Sequence, residues 1–178
     1  ETEIVGDNIF LGQKHAPEIP LPEGNDSRTV LIVGGGAAGQ AAAETLRREG
    51  FAGKITIVSA EEELPYDRTA LSKGVLSGKA DPAQLALRGA AFYDRLQIEL
   101  KLGSRVTGLD PDKRELSLEE GSKLHGDMIL LATGSRPRKL PIPGAENVHL
   151  IRELKESKEL VRELSGAGRV AIIGAGFI

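Results

Sequence analysis

Residues 29–49 read TVLIV-GGGAAG-QAAAETLRRE, and this stretch decides the fold. TVLIV is a short apolar run, rich in β-branched residues, of the kind buried on both faces of a parallel sheet. QAAAETLRRE is a strong helix former, and Gly50 supplies its stop. Between them stands Gly34-x-Gly36-x-x-Gly39. In such a turn the first glycine permits the tight bend and the second lets a pyrophosphate approach the backbone. The third lets helix and strand pack closely. The helix that follows presents free N–H groups and a positive dipole end to the phosphates, with Ala37, Ala38 and Gly39 in the turn that meets them. KITIVS at 54–59 is a second strand. A β-α-β crossover of this kind is right-handed and lies in a parallel sheet. The expectation is an α/β, Rossmann-like, three-layer dinucleotide-binding fold.

An acid is expected at the end of the second strand, where it hydrogen-bonds the adenosine ribose. Glu61, Glu62 and Glu63 compete; Glu61 is nearest the strand end and is preferred. A second strand–glycine unit follows much later: RVAII at 169–173 reads as a buried strand and runs into Gly174-Ala175-Gly176. One unit alone could not separate FAD from NAD. Two units, with Ala132-Thr133-Gly134 between them, favour FAD first and NAD(P) second, with Gly174 and Gly176 on the latter.

The rest of the chain supplies the frame. Residues 1–10 offer a short strand, and 16–27 (APEIPLPEGNDS) form a Pro/Gly-rich lead-in. Helices are predicted around 70–76, 89–96 and 153–164. Strands are predicted at 97–100, 105–109, 114–118 and 127–132. DPDK at 110–113 marks a turn, so 105–118 is a small antiparallel hairpin crossover. The predicted division is 1–27 lead-in, 28–144 FAD-binding unit and 145–178 start of an NAD(P)-binding unit.

Composition removes several classes. With no cysteine, the chain carries neither a redox dithiol nor a Cys-ligated metal site, and it suits a reducing, cytoplasmic compartment. A net charge of −3 gives no basic nucleic-acid footprint. No apolar run reaches the roughly 20 residues that span a bilayer, and the first residues do not read as a signal peptide. His15, His125 and His149 lack metal-ligand spacing and read as surface or strand residues.

LPYDRTALSK at 64–73 resembles the PYxRPPLSK segment of FAD-dependent ferredoxin, rubredoxin and putidaredoxin reductases, relatives of apoptosis-inducing factor. The resemblance continues through QLALR at 84–88, Phe92-Tyr93, ATG at 132–134, PIPG at 141–144 and LIR at 150–152. It is nearest to the Rieske-linked branch, with residues 1–24 then the tail after a Rieske domain. It implies that Arg68 and Lys73 contact FAD, that Val106 meets adenine through its backbone, and that Ala132-Thr133-Gly134 passes under the cofactor. It implies further that Arg152 reaches the flavin. Thr69 and Ala70 depart from the double proline, which loosens the local turn and keeps the charges. The implied activity is electron transfer from NAD(P)H through FAD to an iron–sulfur protein. The alternative is a nucleotide-binding module without turnover. In this family the segment that returns to the flavin is expected beyond Ile178.

Overall fold

The computed structural model describes residues 2–12, 18–166 and 168–174. The chain opens with a two-stranded antiparallel hairpin, β1 (Thr2–Val5) and β2 (Asn8–Leu11), turned at Gly6-Asp7. The single strand expected there is therefore two. The lead-in that follows is tied to the core: Ile19 is buried beside Tyr93 and Leu96, and Arg95 Nη1 donates to its carbonyl at 3.1 Å.

The deciding stretch folds as the strand, helix and strand that were read, with the helix starting at Ala37, three residues earlier than expected. It gives β3 (Thr29–Val33), α1 (Ala37–Arg48) and β4 (Lys54–Val58). A 3-10 turn (Arg68–Ala70) and one π-helical turn (Leu71–Val75) follow, with a further 3-10 turn at Pro82–Gln84. Then come α2 (Ala90–Arg95) and β5 (Ile98–Lys101). An antiparallel group, β6 (Val106–Asp110), β7 (Glu115–Leu118) and β8 (Lys123–His125), leads into β9 (Met128–Leu131). The last helix is α3 (Leu154–Leu164).

Four strands form a parallel sheet in the order β5-β4-β3-β9. Alternation along β3 builds three layers, because successive side chains leave opposite faces. Val30 and Ile32 pack with Ala43 of α1, Ile55 and Ile57 of β4, and Tyr93 of α2. Leu31 and Val33 point the other way, onto Leu116 of β7 with Val106 and Leu124 beside it. Helices thus cover one face and the small antiparallel sheet the other. That sheet has three strands where a hairpin was expected. The three residues of β8 are too short to announce themselves, yet Leu124 pairs with Leu116 and widens the cover.

One buried charge fastens the far end of this unit. Arg47, at the last turn of α1, is buried and meets no carboxylate among the described residues. Its Nε donates to Leu96 O at 2.7 Å, Nη1 to Phe51 O and Gly53 O at 2.6 and 2.9 Å, and Nη2 to Gln97 O at 2.9 Å. Gln97 takes a left-handed backbone, φ +51, at the turn from α2 into β5.

The stretch 169–173, read as a buried strand, forms none, and Ile172 is 85% exposed. No strand among the described residues lies alongside it. An extended segment without ladder partners leaves its N–H and C=O groups to water, and its apolar side chains have no face to bury against.

Candidate functional site

Parallel strands in matched register end together. Val33 is level with Val58 on one side and Leu131 on the other, so the segments following β3, β4 and β9 emerge at one edge. The chain goes from β3 to β4 on one flank and returns to β9 on the other. The β3/β9 gap is therefore the topological switch point, where open α/β sheets place their ligands.

The three glycines of the motif behave differently there. Gly34 has φ +121, and a Cβ on it would lie 2.2 Å from Ala132 O; its N–H donates to Val58 O at 2.8 Å. A Cβ on Gly39 would lie 2.1 Å from Gly34 O and 3.2 Å from Ile32 Cγ2. Both are glycine because protein backbone is in the way. Around Gly36 none of the described residues lies within 4 Å of that position. Gly36 is the N-cap of α1, with no side-chain cap and no acid in the first turn, and Ala37 and Ala38 are exposed. The second glycine thus opens a cradle onto the helix N-terminus, the shape a pyrophosphate needs. Gly35 has its own reason, since a Cβ on it would strike Ser59 Oγ at 2.6 Å.

Glu61 sits just past β4 as expected, but it is not free to face a ribose alone. Its carboxylate accepts from Tyr66 Oη at 2.5 Å and forms an ion pair with Arg68. Arg68 Nη1 also donates to Tyr66 Oη at 3.0 Å and to Arg152 O at 2.8 Å, and the guanidinium stacks 4.9 Å above the Tyr66 ring. Burial would lower the Arg68 pKa. The Glu61 hydrogen bond and the charges of Glu61 and Glu153 outweigh it and hold the guanidinium firmly charged. Burial, then the hydrogen bond to Glu61, pushes the Tyr66 phenol well above its ordinary value.

Ala132, Thr133 and Gly134 leave β9 beside the glycine turn, with Ala132 N–H donating to Val33 O at 2.8 Å. Gly134 has φ +71, and a Cβ on it would meet Arg152 Nη2 at 2.7 Å. Arg152 is thereby brought to the same edge as the first motif. Lys73 is exposed on the π-helical turn. Its charge helps hold the Asp67 carboxyl below its usual range, after the two hydrogen bonds from Thr69. Val106 lies in β6 opposite Leu118, just before a register shift at Gly108, and its side chain packs on the sheet-facing cluster. Gly174 is exposed, with φ +106 and none of the described residues within 4 Å of a Cβ; among the described residues it is not gathered with the others. Gly176 and His15 lie outside the described residues. His125 is exposed in β8, and His149 Nε2 faces Glu163 at 2.8 Å on the surface. Tyr66 and Ser59 were given no role by sequence reasoning. Tyr66 stood inside the quoted LPYDR segment, so position was the available signal; a serine ending a strand gives none.

A helix-fronted cradle at the switch point of a parallel sheet defines a Rossmann-type fold, and Arg68 and Arg152 stand at that edge. The chain belongs to the pyridine nucleotide-disulphide oxidoreductase family, whose model matches residues 28–178. Among its relatives, rhodocoxin reductase of Rhodococcus erythropolis is 40% identical over 152 residues, 84% of this chain and 36% of that protein. Apoptosis-inducing factor 3 of Mus musculus is 40% identical over 156 residues, 86% of this chain and 25% of that protein. A solved putidaredoxin reductase–putidaredoxin complex superposes with a TM-score of 0.72 at 34% identity. That match covers 79% of this chain and 35% of the solved one. The chain thus spans about a third or less of the length of these relatives. It carries no cysteine, although the family's name refers to disulphide chemistry.

Proposed function

We propose that the edge formed by Gly34–Ala38, Glu61, Arg68, Lys73, Ala132–Gly134 and Arg152 holds FAD. On this reading the protein passes electrons from NAD(P)H through that flavin to an iron–sulfur acceptor. The observation that carries the reading is the open Cβ position at Gly36, set between two glycines that backbone crowds. The names of the relatives, reductases that serve redoxins, support the direction of electron flow.

Bound FAD would supply the two-electron to one-electron chemistry that such a transfer requires. The chain's part is binding and electrostatics. The first N–H groups of α1 receive the pyrophosphate, and Glu61 receives the ribose hydroxyls through the lone pair its partners leave. Arg68, Lys73 and Arg152 bring positive charge toward a group that gains negative charge on reduction. Val106 would meet adenine through its backbone. Residues 28–144 are the FAD-binding unit, and 145–178 begin the NAD(P) unit with Gly174 and Gly176. No helix of the described residues is long and apolar enough to cross a membrane. A chain without cysteine suits the cytoplasm.

Anaerobic titration with NADH and with NADPH of FAD-loaded protein that carries the complete NAD(P) unit tests the reading. Bleaching of the flavin band, followed by its return when an oxidised [2Fe–2S] ferredoxin is added, is the expected result. A flavin that neither nucleotide reduces contradicts it.

A further inference from the structure

α3 lies in the part of the chain assigned to the second dinucleotide unit, yet it is bolted to the first. Three hydrogen bonds fix its N-terminal end to the 66–71 segment. Leu154 N–H donates to Tyr66 Oη at 3.0 Å, Ser157 Oγ to Leu71 O at 3.0 Å, and Arg68 Nη1 to Arg152 O at 2.8 Å. Leu154 and Ser157 are buried, and Leu154 shares an apolar cluster with Tyr66, Leu71, Val75 and Leu85. A capping box at Glu153 and Glu156 sets the start of the helix, and Glu156 Oε2 also accepts from Arg152 N–H at 2.7 Å. The direction in which Arg152 leaves the chain is thus fixed from both sides of its own peptide.

Tyr66 is the junction. It is buried, and its hydroxyl makes every bond a phenol can: it donates one to Glu61 and accepts two, from Arg68 and Leu154. We propose that Tyr66 is a positioning residue, one that sets where Arg152 stands on the Gly134 turn by anchoring the first N–H of α3. Its contribution to flavin binding runs through Arg152. The proposal rests on the reading of this edge as an FAD site. Removing the hydroxyl leaves the Leu154 N–H without an acceptor in a buried place, and α3 shifts to find one. The guanidinium carried one residue before the N-cap shifts with it.

The test is a double-mutant cycle on FAD affinity, read by quenching of flavin fluorescence, with Tyr66→Phe, Arg152→Gln and the pair. Each single change is expected to raise Kd about tenfold, the equivalent of one charge-assisted hydrogen bond. The double variant is expected to bind no worse than Arg152→Gln, because the tyrosine has nothing left to position. The flavin absorption band should move equally in both singles, a change that loss of general stability does not produce. Ser157→Ala releases α3 without touching Tyr66, Glu61 or Arg68, and it should reproduce the same non-additive loss. It also serves if Tyr66→Phe does not fold. Additive losses, or a band unmoved in Tyr66→Phe and Ser157→Ala, overturn the proposal and leave the FAD site standing. A wild-type chain that binds no FAD overturns both.

Discussion

The chain contains the same local message twice, TVLIV-GGG at 29–36 and RVAII-GAG at 169–176, and the two have opposite fates. In the first, Ile32 is fully buried in β3, with β4 on one side and β9 on the other. In the second, Ile172 occupies the corresponding place and is 85% exposed, in no strand. Both runs are apolar and both meet glycine. What separates them is the presence of partners for a parallel ladder. A strand is a relation between segments, and hydrophobic sequence is only half of it.

The sharpest way to break this comparison is to truncate the twin residues. Ile32→Ala should cost about 2–5 kcal/mol, the usual range for emptying a packed core site. Ile172→Ala should lie within about 0.5 kcal/mol of the parent chain. Urea unfolding midpoints check both, and a large loss at Ile172 would mean that the second unit is folded in solution.

The first unit is also closed at its far end, where the second has no counterpart among the described residues. Arg47→Leu strips the donors from four carbonyls and should cost about 2–4 kcal/mol by the same measurement. Arg47→Lys should recover only part of it, because one ammonium cannot reproduce the planar fork.

Next in size is an alkaline effect inside the same core. Tyr93 is buried, its hydroxyl has no partner among the described residues, and burial pushes its pKa up to about 12. Between about pH 10 and 12 the unfolded chain loses this proton and the folded one keeps it. Stability therefore falls as pH rises through that window, by about 2–3 kcal/mol at most. Tyr93→Phe should remove the Tyr93 share of the decline, leaving that of Tyr66, and leave stability at pH 7 unchanged or slightly higher, since no hydrogen bond is lost. Thermal melts at pH 7 and 11 decide it. The smallest expected effect on stability concerns the second unit directly. Deleting residues 168–178 should leave the melting temperature in place and lower light scattering, because Val170, Ile172 and Ile173 are exposed.

The sequence was most readable where a local pattern also found its partners. Strand–glycine–helix, the crossover to β4, and the return through β9 were all visible in short apolar runs and turn residues. Less was visible where meaning depended on distant groups. Nothing in QAAAETLRRE distinguishes Arg47, which is buried against carbonyls, from Arg48, which is surface-paired with Glu44 at 2.7 Å. β8 was missed because three residues carry no period. At the site, the glycine triplet and Glu61 were read from spacing and Arg68 and Arg152 only through the resemblance, and the structure puts them at one edge. The Tyr66 junction was not, because it joins positions 61, 68 and 154 through one hydroxyl.

The most direct test of the central claim separates the three glycines by what surrounds them. FAD titration and thermal melting of the chain carrying Gly36→Val, beside Gly39→Val, is that measurement. Open space at Gly36 predicts an unchanged melting temperature and lost flavin binding, whereas backbone 2.1 Å from a Gly39 Cβ predicts that the fold itself fails. A Gly36→Val chain that melts normally and still binds FAD like the parent would contradict the assignment of this cradle.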